Sequence, residues 1–273
     1  MRPPLRILLN TADLEIWPAW LLRARSNRDA RALTQARQVI RRKRDGRFLA
    51  AVGEAGCIGL MPGWTHESGL AQALQAIAAP PVAGQGPHPR PLHALQDRLH
   101  GLGLDADAYG TRTGLALVPE PTWLAHAGFD RYRRALWLHP GAARAWVRMR
   151  DAALRDSVVL EAISGYRSHD YQLGIFERKL ARGLTVEQIL TVNAAPGYSE
   201  HHGGHALDIG APDEPPAEES FEHTRGFDWL RANAVDHGFA MSYPRDNPHG
   251  IVYEPWHWCW HGDDGPGNGR RGD

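Results

Sequence analysis

The stretch "SEHHGGHALD" at residues 199–208 sets three histidines and an aspartate within ten positions, around a glycine pair. His201 and Asp208 are seven residues apart, too far for one helical turn, so an ion held by both requires the chain to bend between them. Gly203-Gly204 permits a sharp or left-handed path at that point. "HALDIG" (205–210) then alternates as a strand does, with Ala206 and Asp208 on one face and Leu207 and Ile209 on the other. The local reading is a turn followed by a strand, each carrying a metal-type ligand.

A third ligand and a base are available in "YEPWHW" (253–258). Glu254 precedes Pro255 and is biased to extended geometry, so it is expected to end a strand. His257 follows beyond the proline bend and can turn toward the same ion. Catalytic zinc takes three protein ligands from His, Asp, Glu or Cys and keeps one position for water. His201, Asp208 and His257 fit that set. Glu254 is then the general base that takes a proton from zinc-bound water, and Trp256 is placed to wall the cleft. His202 and His205 read as neighbours of the site and not as ligands.

Working outward, "GAARAWVRMRDAALRD" (141–156) is helical, "VVLEAI" (158–163) reads as a strand, and "HDYQLGIFERKLARG" (169–183) as a helix stopped by Gly183. Thr185 and Gln188 form a capping box for a further short helix. "FDWLRANAVDHG" (227–238) is a helix, and strands are expected at 239–243 and 250–254 around the turn "PRDNPH". Helices first and antiparallel strands later give the α+β class.

The N-terminal part reads differently. "RARSNRDARALTQARQVIRRKRDGRF" (23–48) has helical spacing at Leu33, Ala36 and Ile40 and predicts a basic helix with a solvated face. "APPVAGQGPHPRP" (79–91) is a linker or long loop by composition, and "VPEPTW" (118–123) is a second break. The expected organisation is a separate N-terminal region of unknown role at 1–119, a main domain at 120–262 and a disordered tail at 263–273.

Composition excludes some partners. Lys+Arg and Asp+Glu both total 31, so no net charge argues for nucleic acid. No apolar run approaches the roughly 18 residues of a membrane span. The start "MRPPLRILLNTADLEIWPAW" holds no run of signal-peptide length, so a cytoplasmic location is expected as written, or a periplasmic one if the true start lies upstream. Two cysteines, Cys57 and Cys259, define no disulfide framework. Oligomeric state is not readable.

Ser199, His201, Gly204, Ala206 and Asp208 fill the pattern S-x-H-x-x-G-x-A-x-D, and E-P-W-H stands at 254–257. With "SGYRS" (164–168) followed by Gln172, these residues resemble the zinc D-alanyl-D-alanine carboxypeptidases of VanY type, a group that extends to lysostaphin-like peptidases and the hedgehog signalling fold. The resemblance covers about residues 120–260. It implies a central antiparallel sheet flanked by helices, and zinc held by His201, Asp208 and His257 with Glu254 as base. It also implies that Arg167 meets the substrate carboxylate or developing oxyanion, and that Gln172 and Ser199 contact the peptide. The substrates it implies are peptidoglycan stem peptides losing a C-terminal D-alanine, by D,D- or L,D-cleavage. Alternatives are an endopeptidase acting on cross-links, or a binding module that keeps the zinc without catalysis.

Overall fold

A computed structural model describes residues 6–24, 26–82, 84–92 and 95–262, so the expected tail at 263–273 lies outside the described residues. The chain divides into two compact units. The first comprises 1–91 and 120–126, and the second 92–119 and 127–273. The sequence reading set its boundary at 119/120. Packing instead assigns 92–119 to the second unit, and the break at "VPEPTW" is where the chain passes back into the first for seven residues.

The first unit contains β1 (Ile7–Asn10), β2 (Leu14–Pro18), α1 (Asn27–Gln35), β3 (Ala36–Arg42), β4 (Phe48–Gly53), β5 (Gly56–Gly59) and α2 (Leu70–Ala78). Its antiparallel sheet runs β5-β4-β3-β2-β1. Val39 and Ile40 on the central β3 point to opposite faces, as strand geometry requires. Val39 packs with Ala19, Ala32 of α1 and Ala51, whereas Ile40 packs with Leu9, Ile16, Leu49 and Ala73 of α2. The basic helix predicted over 23–48 is therefore only nine residues long. The stretch after Gln35 is a strand because β2 and β4 pair with it on both sides, and such pairing overrides local spacing. Its arginines are neutralised by acids both near and distant in sequence: Arg41 pairs with Glu15 at 2.6 Å, and Arg42 meets the nearby Asp45 and the distant Glu67. The 79–91 stretch belongs to this unit and has no helix or strand among its described residues.

The second unit supplies α3 (Leu95–Gly101) and α4 (Ala106–Thr113). β6 (Trp123–Phe129) begins in the first unit, where it pairs with β1, and runs on into the second. β7 (Ala135–Leu138), α5 (Pro140–Arg155), β8 (Glu161–Ser164), α6 (His169–Leu180), α7 (Val186–Leu190), β9 (Ala206–Gly210), α8 (Arg225–Asn233), β10 (Phe239–Met241) and β11 (His257–Trp260) complete it. The helices at 141–156 and 169–183 and the strand at 205–210 stand within a few residues of expectation. Thr185 and Gln188 close the capping box, with reciprocal bonds of 3.3 and 2.9 Å. The mixed helix and antiparallel-sheet class is as read.

β10-β11-β9-β8 form a four-stranded antiparallel sheet. Two expectations shift here. The strand at 158–163 begins three residues later, at Glu161. The strand expected at 250–254 is absent: Ile251 and Val252 are held by the Asn247 amide and the Thr191 carbonyl, outside any ladder. The strand lies instead after the Glu-Pro-Trp bend, as β11. Tyr109 of α4, Phe176 of α6 and Ile189 of α7 form one buried core cluster with Tyr198, Tyr243 and Ile251.

Candidate metal centre

The site is assembled from three chain segments tied together by backbone groups. "SGYRS" leaves β8 with Gly165 packed so closely that a Cβ there would lie 2.8 Å from Leu136 Cδ1 and 2.9 Å from the Trp137 carbonyl oxygen. Only glycine fits. Ser168 then caps α6, its hydroxyl accepting from the Tyr171 amide at 3.1 Å. Between them, the Arg167 amide donates to the His201 carbonyl at 3.2 Å, and the Arg167 carbonyl accepts from His202 Nδ1 at 2.7 Å.

The second segment, Glu200–Gly203, is a 3-10 turn that Gly204 ends in the left-handed region at φ 71°. That conformation lets the chain turn directly into β9, the bend required to bring His201 and Asp208 together. The third segment enters β11 through Pro255. In the sheet register His257 stands directly opposite Asp208. Directly opposed residues on antiparallel strands bring their side chains close on one face. The two candidate ligands therefore meet by cross-strand pairing, and not by a strand ending at Glu254 as expected.

One ligand atom from each of His201, Asp208 and His257 lies within 4.8 Å of the others, and all three residues are buried. His201 Nδ1 donates to the Gly165 carbonyl at 2.7 Å, because a carbonyl can only accept. This fixes the tautomer and leaves Nε2 with a free lone pair. Nε2 is fully buried, lies 3.3 Å from Asp208 Oδ1 and makes no hydrogen bond. A buried ring nitrogen left unsatisfied beside a carboxylate is costly unless something binds it. Two imidazoles and one carboxylate are the nitrogen and oxygen donors that zinc takes in three-ligand sites, so the residues fit the ion the sequence implies.

Electrostatics follow from burial and crowding. Burial, helped by Arg167, lowers His201 to about 4 and keeps it neutral. Burial opposes charge on His257 too, yet hydrogen bonds to Asp208 and Glu200 raise it to about 10. Asp208 is held well below the carboxylate range against burial by His201, His257 and Arg167. Burial pushes Glu254 up to about 7, with Asp208 and Glu200 adding to the rise and His257 and Arg167 opposing it. Its Oε2 is 3.8 Å from His257 Nδ1.

These groups line one cavity of about 380 Å³, together with Arg167, Gln172, Ser199 and Trp256, so every site residue read from the sequence borders it. Arg167 lies 3.8 Å from Asp208, and its Nε is buried without a hydrogen-bond partner. Gln172 donates to the Ala194 carbonyl at 2.9 Å and leaves its Oε1 without a partner. Trp256 is half-buried on the wall. His202 is used up structurally: Nδ1 donates to Arg167, and Nε2 accepts from the Gly197 amide at 3.0 Å. His205 stacks between His139 and Trp260, at 4.5 and 6.0 Å.

Three residues of the site went unread. Tyr243 tilts against the His257 ring at 4.8 Å. Glu200 accepts from His257 Nε2 at 2.8 Å, and Ser242 donates to the same Glu200 oxygen at 2.6 Å. Glu200 sits inside the opening motif, and its adjacency to His201 was the available signal.

The family model for VanY, D-alanyl-D-alanine carboxypeptidase, matches residues 135–263. YodJ of Bacillus subtilis is 36% identical over 134 residues, 47% of this chain and 48% of its own length, so the chain spans about half of that relative. The bifunctional D-Ala-D-Ala dipeptidase and D-Ala-D-Ala carboxypeptidase VanXYC of Enterococcus gallinarum is 31% identical over 150 residues, 52% of this chain and 76% of its own. Among solved structures, a vancomycin-resistance D,D-pentapeptidase VanY in complex with Zn(II) is 29% identical, covering 47% of this chain and 75% of that one with a TM-score of 0.40. Among the described residues, no helix is long and apolar enough to cross a membrane. By its sequence relation to VanXYC and the match of its second unit, the chain belongs to the VanY family of D-alanyl-D-alanine carboxypeptidases.

Proposed function

We propose that this chain is a zinc-dependent carboxypeptidase that removes the C-terminal D-alanine from peptidoglycan stem peptides, with the D,D bond preferred over the L,D bond. The preference for D,D is supported by the D-Ala-D-Ala activities in the name of VanXYC. His201, Asp208 and His257 hold the ion. Bound there, zinc supplies a Lewis acid and an acidified water. Glu254 acts as the general base and then as proton donor to the leaving amine. Burial raises the affinity of this carboxylate for a proton, which favours its taking one from the attacking water. Arg167 offers a guanidinium on the cavity wall to the terminal carboxylate or the developing oxyanion, where a charge-assisted bond gives direction as well as strength. Ser199, Gln172 and Trp256 border the space the peptide fills.

The observation that carries this reading is that one cavity gathers three buried ligand atoms within 4.8 Å of one another, a carboxyl raised to about 7, and a guanidinium nitrogen with no partner. The test is incubation of zinc-loaded protein with tri-, tetra- and pentapeptide stems and with a cross-linked dimer, followed by mass spectrometry. The expected result is loss of one alanine mass from the pentapeptide. Cleavage of the dimer alone would replace this reading with an endopeptidase, and no cleavage of any substrate with a non-catalytic module.

A further inference from the structure

The two histidines of the metal centre are oriented by unlike acceptors. His201 Nδ1 donates to a neutral carbonyl, that of Gly165, whereas His257 Nε2 faces the carboxylate of Glu200 at 2.8 Å. Glu200 is on the same 3-10 turn as His201, so one turn carries a ligand and also reaches the ring of a second ligand 57 residues later. An ionised carboxylate has no hydrogen to give, so the nitrogen facing it must carry one. Nδ1 is then the nitrogen left to face the other ligands, 3.2 Å from Asp208 Oδ1. Ser242, just past the end of β10, donates its hydroxyl to the same Oε2 at 2.6 Å, which fixes the carboxylate in turn. The side chain of Glu200 is only about a quarter exposed, at 24%, so water does not replace these bonds freely.

We propose that Glu200, steadied by Ser242, is a positioning residue: it fixes the His257 ring with Nδ1 toward the metal and strengthens that nitrogen as a ligand. This rests on the metal-site reading above. Carboxylates behind a ligating imidazole set its tautomer and raise its basicity, and their loss costs roughly 10–100-fold in metal affinity. A neutral acceptor fixes the ring but adds less basicity. The two histidines thus differ in how much they owe to a charge behind them.

The test is zinc affinity of the full chain, measured by competition with a chromogenic chelator, for the wild type, Glu200→Ala, Glu200→Gln, Ser242→Ala and His201→Ala. The expected order is a loss of roughly 10–100-fold in Glu200→Ala, a smaller loss in Glu200→Gln, which keeps an acceptor oxygen without the charge, and the smallest in Ser242→Ala. The visible absorption of the cobalt(II)-loaded protein provides a second readout. It shifts in Glu200→Ala and returns toward wild type in Glu200→Gln, which a purely structural role would not produce. Wild-type zinc affinity in Glu200→Gln together with an unshifted cobalt spectrum in Glu200→Ala overturns the proposal while leaving the metal site intact. If Glu200→Ala does not fold, wild-type affinity in Glu200→Gln overturns it alone. Undiminished binding in His201→Ala removes the metal-site reading itself, and this proposal with it.

Discussion

Both units of the chain bury charge, and they do so in opposite ways. In the first, Lys43 is almost wholly enclosed, donating to the Thr11 carbonyl at 2.6 Å and pairing with the Glu120 carboxylate, which also accepts from the Asn10 amide at 3.1 Å. The ammonium and the carboxylate answer one another. In the second unit, burial leaves atoms over: His201 Nε2 and Arg167 Nε have no hydrogen-bond partner, and both residues border the same cavity. A buried charge met by a buried countercharge holds a fold together. Buried polar atoms left unmet at a cavity are poised to bind something from outside, because they are costly until they are met.

The comparison can be broken first at Glu254. Glu254→Gln keeps the shape and removes the base, so zinc should remain bound while turnover falls by roughly 10²–10⁴-fold. Stopped or steady-state assays on the pentapeptide, alongside metal analysis, measure both quantities. Turnover near wild type would mean that another group moves the proton.

Lys43→Ala probes the other side. It strands the Glu120 carboxylate in a buried position, and removing one partner of such a pair costs about 3–5 kcal/mol. Denaturant unfolding should register that loss, while zinc affinity stays at the wild-type value because Lys43 does not border the metal cavity. A variant that loses zinc in step with stability would show that the two networks are not separable.

How far the sequence reached follows the same division. In the second unit the residues that border the candidate site were legible because each motif is local: a turn with its glycines, a capped helix start, a proline bend. What could not be read was which strand carried His257. "HWCW" is buried at its first three residues and shows no alternation, whereas "GIVYE" has the β-branched run of a strand but no neighbour to pair with. Register alone sets His257 opposite Asp208, and register is a property of two strands. Glu200 and Ser242 were missed for the same reason, since Glu200 meets His257 and Ser242 across long stretches of chain. In the first unit the basic run at 23–48 misled because two of its arginines also meet acids on other segments, Glu15 on β2 and Glu67. Charge spacing in one segment carries no record of acids on another.

Equilibrium dialysis of zinc against the whole chain, across a range of pH, decides whether His201, Asp208 and His257 hold the ion. His257 is raised to about 10 between Asp208 and Glu200, so at neutral pH it holds a proton that the metal must displace. Raising the pH removes that competitor, and apparent affinity should rise about tenfold per pH unit below that value, with one proton released per ion bound. The account predicts one zinc per wild-type chain at neutral pH, weakening toward acid, and no stoichiometric binding in His257→Ala. A wild-type chain that takes up no zinc, or a His257→Ala variant that binds it as tightly as wild type, would contradict it.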